Sequence, residues 1–421
     1  MNILKRFRCD TCQTLIDCRI GMSNRGIQPF QFACPKCEER ISFVIGQDDA
    51  ELTGAEDIAK FDGPFKGDNP FIELHLDFPV YFGEYELGKT TFFRVIGEIG
   101  QNEYFHLASR LEALNKILLH KRNLQRLITQ YKRNDAVSIK RICEEMPWIQ
   151  FKSDKQADLI AVAYSATSSL SSPFTIHENN ERLSKGLPNY FQYFQHTYPL
   201  KTKDFMEEII ENSFLKNLHI DCLSLYPRLL DLVLPLRPAF FYDYVDEKNY
   251  GKIPARVSTA EFDTCNSFYK DLAEIFSRQL TLLAGFNNLH KRGDANEFDP
   301  GLKTTVKHKI RPELSSLNAF ANCDLGAKIP FIDDPFFIIN EEAIDNKLRN
   351  GIAHYNYEYK EVSQVITYYP SKEGMRREKF YEISFMEFIR KTLLLFREVH
   401  SLNHLIKTTL YYCVLILKKP V

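Results

Sequence analysis

The chain has 421 residues and a mass of 49.1 kDa, a size that predicts two or three domains rather than one compact core. Hydrophobic residues make up 44% and charged residues 26% of the sequence, which excludes collagen-like, low-complexity and wholly disordered proteins. With 54 Lys and Arg against 55 Asp and Glu, the net charge is −1, so any affinity for nucleic acid must come from local patches.

Neither end of the sequence shows a targeting or membrane-spanning pattern. Residues 1–8 lack the apolar stretch of a signal peptide, and the apolar run 410–417 is far shorter than the roughly 20 residues that a spanning helix needs. Five of the ten cysteines fall within the first 37 residues, a distribution that does not fit a secreted disulfide framework. We therefore expect a cytoplasmic protein with reduced thiols and no membrane partner.

Residues 1–47 are predicted to form a zinc ribbon, because they hold two C-x2-C pairs separated by 21 residues. The four cysteines are Cys9, Cys12, Cys34 and Cys37. A C-x2-C turn directs two thiolates at one point, and zinc favours four tetrahedral ligands. No histidine precedes His75, so we expect a closed four-cysteine site with a structural Zn²⁺, and we interpret Cys18 as a bystander. A metal would also explain how so short a segment folds with little apolar core.

The partner of this ribbon is left open by the sequence. Its basic side chains could present a phosphate-binding face; they are Arg6, Arg8, Arg19, Arg25, Lys36 and Arg40. Ribbons also serve as protein-docking modules, and in that case the basic residues would only keep the segment soluble.

Residues 48–100 are predicted to hold a linker and a small β segment. The part 48–70 is acidic and rich in Gly and Pro, as linkers are. The run 71–78 alternates apolar and polar residues like a half-buried strand, and further strands are predicted at 80–85 and 90–99. The polar face of the first strand carries Glu73, His75 and Asp77, which we interpret as turned to solvent, with a metal site as the alternative.

The run from Gly83 to Thr90 satisfies the phosphate-loop pattern G-x4-G-K-[ST]. A phosphate loop needs a helix directly after the Thr, whereas residues 90–96 are β-branched and aromatic and predict a strand. Glu84 and Glu86 would also place two carboxylates beside a triphosphate. We interpret the run as a β-hairpin and keep nucleotide binding through Lys89 as an alternative.

Residues 101–255 are predicted to form a helical middle region, because apolar residues recur from Leu107 onwards with helical spacing. Within it, residues 110–141 carry nine Lys and Arg against Glu112 and Asp135. Such a run could guide RNA or bind an acidic partner. It could equally be a solvated helix face, since Tyr131 is the only aromatic residue in it.

Residues 256–421 are predicted to form a helical domain, with apolar-periodic stretches at 260–288, 303–322, 341–355 and 384–417. A short hairpin is predicted at 360–383, with its turn at 371–374. The expected fold is mainly α, with an N-terminal four-cysteine zinc ribbon, a small β segment and a C-terminal helical bundle.

The most informative residues for function lie between Lys347 and Tyr357. Arg349 is followed directly by Asn350 and, five positions after the Arg, by His354; none of the other ten histidines has an Arg at that spacing. A helical stretch precedes this segment, and a long apolar helix is predicted after the inserted hairpin.

This segment resembles the HEPN superfamily, small helical bundles marked by R-x4–6-H in which Asn, Asp or His commonly follows the Arg. The resemblance rests on Arg349, Asn350, His354 and the order of the helices, and it covers roughly residues 256–421. It implies a HEPN-like bundle and a metal-independent RNA endonuclease of the prokaryotic toxin or anti-phage defence type, with tRNA among the RNA substrates to consider. Some family toxins are silenced by modification of the Tyr in H-x-Y, but Asn356 stands at that place here.

The residue types fit this chemistry. Cleavage of RNA through its own 2′-hydroxyl needs a group that exchanges a proton near neutral pH, and histidine is the side-chain type suited to this, which points to His354. Arg349 offers a planar cation for the charge that builds on the phosphorane, and Asn350 could orient His354 or hold the phosphate. Because five residues along an ideal helix turn about 500°, the Arg and His stand some 140° apart. As in the family, a homodimer through the C-terminal helical domain would bring two such pairs into one cleft.

Several alternatives stay open. Arg349 could pair with a carboxylate such as Asp345, which would leave a non-catalytic, dimerising HEPN-like module whose ribbon binds nucleic acid or protein. A regulatory protein that restrains an active nuclease is a further partner to consider. A second pair at the longest family spacing, Arg397 and His404, is discounted because it lies deep in an apolar helix. Nucleotide binding at Gly83 to Thr90 is the weakest alternative.

Overall fold

The computed structural model describes residues 2–46, 52–61, 64–246, 254–259, 262–301, 305–306, 309–310, 314–370 and 379–421. These residues are mainly helical, with a small group of strands near the amino terminus, so the coarse prediction of fold class is confirmed. None of the described helices is both long enough and apolar enough to cross a membrane.

The secondary structure runs from a β-rich beginning into a long helical region. The strands are β1 (Asn2–Cys9), β2 (Leu15–Gly21), β3 (Gln28–Ala33), β4 (Arg40–Ile45), β5 (Ala55–Phe61), β6 (Phe71–His75), β7 (Val80–Tyr81), β8 (Ala255–Arg256), β9 (Thr305–Val306), β10 (Lys309–Ile310), β11 (Tyr357–Lys360), β12 (Val365–Tyr368) and β13 (Tyr381–Ser384). The α-helices are α1 (Thr91–Leu118), α2 (Lys121–Lys132), α3 (Ala136–Glu144), α4 (Gln156–Ser171), α5 (His177–Thr197), α6 (Pro199–Glu211), α7 (Phe214–Asp231), α8 (Val233–Leu236), α9 (Phe262–Arg292), α10 (Leu317–Ala321), α11 (Leu325–Lys328), α12 (Asn346–Ala353) and α13 (Phe385–Tyr411).

The chain divides into two compact units, each assembled from three separate stretches. Unit 1 comprises Met1–Leu118, Asp231–Phe268 and Lys347–Leu393, and unit 2 comprises Leu119–Leu230, Tyr269–Asn346 and Leu394–Val421. The predicted domain boundaries at residues 47, 100 and 255 stay predictions.

The ribbon in unit 1 shares a sheet with the segment that follows it. The strand order is β5-β1-β2-β6, in which β1 is antiparallel to both neighbours and β6 is parallel to β2. The second ribbon hairpin, β3 with β4, packs phenylalanines against the first, and Phe7 and Phe43 rings lie 5.3 Å apart. Ile72 and Leu74 of β6 belong to the same buried cluster. This apolar core is larger than we expected from residues 1–47 alone.

The interpretation of the polar face of β6 as solvent-facing is wrong. Glu73, His75 and Asp77 are only 5%, 3% and 4% exposed, so both faces of this segment are buried. Buried polar groups need partners, and long-range contacts provide them. The Glu73 carboxylate accepts two hydrogen bonds from Arg19, at 3.0 Å each, and the His75 amide donates to Ser258 Oγ at 2.8 Å.

The strand predicted at 90–99 is also wrong, because α1 begins at Thr91, and the strand predicted at 80–85 is limited to Val80–Tyr81. Thr91, Val95 and Ile99 are buried at helical spacing, so tertiary packing overrides the β propensity of this run. Gly100 interrupts the helix with φ +81°, a conformation that glycine adopts readily.

The C-terminal predictions were confirmed in part. β12 and β13 form the predicted antiparallel hairpin, and β11 adds a third strand; the predicted turn at 371–374 lies outside the described residues. Among the described residues of the helix predicted at 303–322, only α10 is helical, and the short strands β9 and β10 precede it. Residues 303–304, 307–308 and 311–313 of that stretch are not described.

A chain of buried polar side chains runs through unit 2. Its links are Tyr131 Oη to His219 Nε2 at 2.9 Å, His219 Nδ1 to Tyr164 Oη at 3.2 Å, Tyr164 to Asn403 at 3.2 Å, Asn403 to Tyr226 Oη at 2.9 Å and Tyr226 to His400 Nδ1 at 2.8 Å. Burial lowers the pKa of His219 to about 4 and that of His400 to about 3, so both rings are neutral at pH 7. A connected network of this kind specifies how helices pack against one another.

Candidate active site and metal centre

The four cysteines of the two C-x2-C pairs meet at one point in unit 1. The sulfur atoms of Cys9, Cys12, Cys34 and Cys37 all lie within 4.8 Å of one another, and this cluster could bind a metal ion. Its closest contacts join the two pairs, with Cys9 Sγ 3.5 Å from Cys37 Sγ and Cys12 Sγ 3.7 Å from Cys34 Sγ. Cys18 lies outside the cluster, fully buried in β2, as the interpretation of a bystander requires.

The two turns that carry these cysteines have the same backbone structure. In each, the residue after the second cysteine adopts a left-handed conformation, Gln13 with φ 60° and Glu38 with φ 64°. The amides of these two residues donate to the carbonyl of the first cysteine in their turn, at 2.9 and 3.0 Å. The turns join β1 to β2 and β3 to β4, so two equivalent hairpins present two thiols each. Such equivalence is typical of a site that closes around one ion.

Backbone amides donate hydrogen bonds to the sulfur atoms of Cys12 and Cys37. The Thr14 amide, two residues after Cys12, donates a hydrogen bond to the Cys12 sulfur. The Glu39 amide does the same for the sulfur of Cys37. Together with the Thr14 hydroxyl, which is the largest contribution, the Thr14 amide lowers the pKa of Cys12 to about 6. Despite the Glu39 amide, burial and the neighbouring sulfur atoms raise the pKa of Cys37 to about 12. Donors of this kind favour the thiolate, which is the form that binds metals.

The basic side chains of the ribbon do not form an open phosphate-binding face. Most pair with carboxylates: Arg6 with Asp17, Arg8 with Glu56, Arg19 with Glu73 and Arg40 with Glu361. Arg19 is also buried, at 3% exposure. These pairs leave little free positive charge on the ribbon and favour a structural over a nucleic-acid-binding role for it.

The Arg–Asn–His segment lies at the end of the short helix α12, with His354 directly after its last residue, Ala353. Leu348, Gly351 and Ile352 are buried, whereas Arg349 and Asn350 are half-buried and His354 is exposed. The Arg349 guanidinium donates to Asn350 Oδ1 at 3.3 Å, and the His354 amide donates to the Asn350 carbonyl at 3.2 Å. Asn350 therefore contacts both other residues, through its side chain and its backbone respectively.

Packing against the third sheet fixes the position of α12. A Cβ on Gly351 would lie 3.0 Å from the Cβ of Tyr368 on β12, so the missing side chain allows a close approach. The helix ends where Asn356 donates its amide to the Gly351 carbonyl at 2.8 Å and accepts from the Tyr369 amide at 2.8 Å. The sheet thus supports the end of the helix.

The second Arg–His pair lies in a different setting. Arg397 and His404 on α13 are each 8% exposed, and the Arg397 Nε donates to the Phe174 carbonyl at 2.8 Å. Burial lowers the pKa of His404 to about 4. An enclosed, neutral imidazole is a poor candidate for proton transfer to a large substrate.

The loop with the phosphate-loop pattern does lead directly into a helix, contrary to our prediction. However, the helix end is already occupied by a carboxylate, because Glu73 Oε1 accepts from the Thr91 amide at 2.9 Å. The Arg19 guanidinium also donates to the carbonyls of Glu86, at 3.0 Å, and Lys89. The Lys89 ammonium pairs with the Glu86 carboxylate. The position that a phosphate would need is therefore filled by groups of the chain itself.

Unit 2 contains a cavity of about 520 Å³ that sequence reasoning missed. It lies between α5, the segment 335–340 and α13, and its wall includes Glu398 and Arg397. Glu398 is 9% exposed and accepts from the Asn340 amide at 3.2 Å. Burial raises its pKa to about 7. No local sequence pattern predicts this cavity, because its lining comes from three distant stretches of sequence.

Comparisons with known proteins give no relative: no protein-family model matches the chain, and no curated protein or solved structure is significantly similar to it.

Proposed function

We propose that the protein is a metal-independent RNA endonuclease of the HEPN type, acting in anti-phage defence or toxin-like growth arrest. The observation that carries this proposal is the placement of Arg349, Asn350 and His354 together at the accessible end of α12. Catalytic side chains must reach the substrate, and His354 does so without any change in the fold.

Each residue has a distinct role in this proposal. His354 exchanges a proton with the 2′-hydroxyl or the leaving oxygen, which is the general acid–base role that histidine fills most often. Arg349 stabilises the negative charge that develops on the phosphorane. Asn350, through its contacts with both neighbours, positions the Arg349 guanidinium and the backbone of His354.

We assign the four-cysteine cluster to a structural Zn²⁺. A tetrahedral zinc with Zn–S bonds of about 2.3 Å places its sulfur ligands about 3.8 Å apart. The contacts of 3.5 and 3.7 Å between the two turns fit this spacing. With four protein ligands no position would be left for a substrate, so the ion would stabilise the ribbon and take no part in cleavage.

The decisive experiment is RNA cleavage by the purified protein in magnesium-free buffer with EDTA, using total RNA and tRNA. We expect wild type to cleave and to leave 2′,3′-cyclic phosphate ends, and His354→Ala to lose at least a hundredfold in rate. Arg349→Lys keeps the charge but loses the planar fork of donors, so it should also fall well below wild type. The zinc content is measured before and after incubation, because a chelator can remove structural zinc.

The matched control is His177→Ala, which removes another exposed histidine, 86% accessible, at the start of α5. It should cleave like wild type. Equal cleavage by wild type and His354→Ala would overturn the assignment of the site. Absence of cleavage together with absence of His354-dependent growth arrest in cells would favour the non-catalytic dimerising module instead.

A further inference from the structure

The hairpin of α2 and α3 in unit 2, together with its flanks from residue 119 to 149, is strongly basic. This stretch holds seven Lys and Arg against three Asp and Glu, a net charge of +4 in a chain whose total is −1. We call it the α2–α3 surface. Its charge makes it a candidate for binding a polyanion.

The cations of this surface are arranged on one side of the helices. The apolar side chains face inward, and the buried residues are Leu124, Leu127, Ile128, Ile139, Ile142 and Cys143. Arg122, Arg126 and Arg133 are exposed and follow one another at intervals of four and seven residues, which aligns them along one side of α2. On α3, the neighbouring Lys140 and Arg141 are exposed as well.

Several of these cations have no ion-pair partner among the residues that the structure describes. Arg126 pairs with Glu145 at 2.9 Å, but Arg122, Arg133 and Lys140 form no ion pair with any of the residues that the structure describes. The contrast with the ribbon matters, because there Arg6, Arg8, Arg19 and Arg40 are all paired. Clustered cations without partners repel one another, and an external anion relieves that repulsion.

An exposed aromatic ring stands at one end of the same surface. Trp148 is 45% exposed, and its ring meets His120 in an edge geometry with centroids 4.7 Å apart. His120 directly precedes α2, so Trp148 lies at the end of the hairpin that carries Arg122. Exposed aromatic rings beside cations provide stacking platforms for unpaired bases. Trp148 lies beyond the basic run at 110–141, so the charge pattern by itself does not point to this ring.

We propose that the α2–α3 surface binds single-stranded RNA, with phosphates on Arg122, Arg133 and Lys140 and a base stacked on Trp148. Arg122 and Arg133 are eleven positions apart, which corresponds to about 16 Å along the helix, enough for a few nucleotides of an extended strand. This inference rests on the proposed function for the choice of RNA as the polyanion. An anionic membrane fits less well, because the apolar faces of both helices are turned into unit 2.

The single tryptophan of the chain makes the proposal directly measurable. In His354→Ala protein, which keeps the RNA intact, Trp fluorescence is titrated with a single-stranded RNA of about 12 nucleotides. We expect quenching on binding, and an affinity that falls with salt with a log–log slope near −2 for three phosphate contacts. The triple variant Arg122→Glu, Arg133→Glu, Lys140→Glu should bind at least tenfold more weakly.

The matched control reverses three other exposed cations of unit 2: Arg182→Glu, Lys185→Glu and Lys216→Glu. It changes the net charge equally and should bind like the parent. Equal affinities of the two triples, or no change in Trp fluorescence at saturation, would overturn the proposal. So would quenching by anionic vesicles or by a poly-glutamate peptide when RNA gives none. If the first triple does not fold, Arg133→Glu and Lys140→Glu are compared singly.

The outcome is separable from that of the cleavage assay. If the protein binds RNA at this surface but does not cleave it, the proposed nuclease function is overturned and the protein is an RNA-binding protein. Cleavage that depends on His354 but not on Arg122, Arg133 and Lys140 would retain the nuclease and overturn the surface.

Discussion

Glu398 shows how burial alone changes the chemistry of one residue. Its carboxyl group lines the cavity of unit 2 and receives a hydrogen bond from the Asn340 amide, and burial raises its pKa to about 7. In the unfolded chain a Glu titrates near pH 4.3. The folded state therefore holds the proton more tightly, and the stability that this contributes is lost as pH rises from about 4 to about 7.

The substitution Glu398→Gln should remove this pH dependence. We expect the free energy of unfolding at pH 8 to rise by up to about 3 kcal/mol, because the neutral amide replaces a buried charge, and to change little at pH 4.5. Chemical denaturation at both pH values measures the difference. Glu178→Gln, at an exposed position on α5, serves as the control. An equal effect of Glu398→Gln at the two pH values would contradict the argument.

His404 offers a test of which Arg–His pair is functional. Neither of its ring nitrogens has a hydrogen-bond partner among the described residues, and burial lowers its pKa to about 4. His404→Leu removes these unsatisfied buried atoms, so we expect stability to stay the same or to rise by about 1 kcal/mol. RNA cleavage should be unaffected. Loss of cleavage by a folded His404→Leu variant would move the site to Arg397 and His404.

At the scale of elements, Arg237 links three parts of unit 1. This fully buried side chain donates to Asp77 after β6 at 2.6 Å, to Asn115 on α1 at 3.0 Å and to Asn24 after β2 at 2.8 Å. A guanidinium can serve all three acceptors at once because its donors are fixed in one plane. Arg237 therefore connects the ribbon, the segment after its neighbouring strand and the first helix.

The substitution Arg237→Leu should destabilise the protein by about 3–5 kcal/mol, since it leaves the Asp77 carboxylate buried without its cation. The double variant Asp77→Asn/Arg237→Leu should lose less free energy of unfolding than the two single variants lose when their effects are added. A double-mutant cycle by chemical denaturation measures this coupling. Additive effects of the two changes would show that the ion pair contributes little.

At the scale of the whole molecule, zinc removal should affect one unit selectively. The four cysteines belong to the same buried cluster as β1, β2 and β6, so chelation should loosen that part of unit 1. We expect one zinc per chain by metal analysis. Hydrogen exchange should increase within residues 2–46 after chelation, while Trp148 fluorescence from unit 2 stays unchanged. Cys34→Ser should reproduce the change, and Cys18→Ser, which is not one of the four clustered cysteines, should retain the zinc.

The proposed homodimer predicts that two inactive variants can complement each other. If two Arg–His pairs share one cleft, a mixed dimer of Arg349→Ala and His354→Ala chains contains one intact pair. An equal mixture of the two should recover up to about a quarter of wild-type cleavage, because about half of the dimers are mixed. Light scattering establishes the dimer in the same samples. A dimer whose mixture recovers no activity would show that Arg349 and His354 act within one chain.

The features of this protein that the sequence predicted correctly are those that depend on residues close together in the chain. The spacing of the four cysteines was sufficient because each C-x2-C turn fixes two ligands locally. The hairpin of β12 and β13 followed from residues close in sequence. The Arg349–His354 hypothesis has the same local origin, and the fold adds that His354 is accessible.

Only the tertiary structure decided the rest, because the deciding partners are far apart in sequence. The start of α1 depends on the Glu73 carboxylate, which accepts a hydrogen bond from the Thr91 amide 18 residues further along the chain. The burial of Asp77 depends on Arg237, 160 residues away. The cavity around Glu398 is lined by three separate stretches of the chain. The Trp148 ring contacts the His120 ring only because the α2–α3 hairpin folds back on itself. Local propensity cannot anticipate such contacts, since their free energy exists only once the chain has brought both partners together.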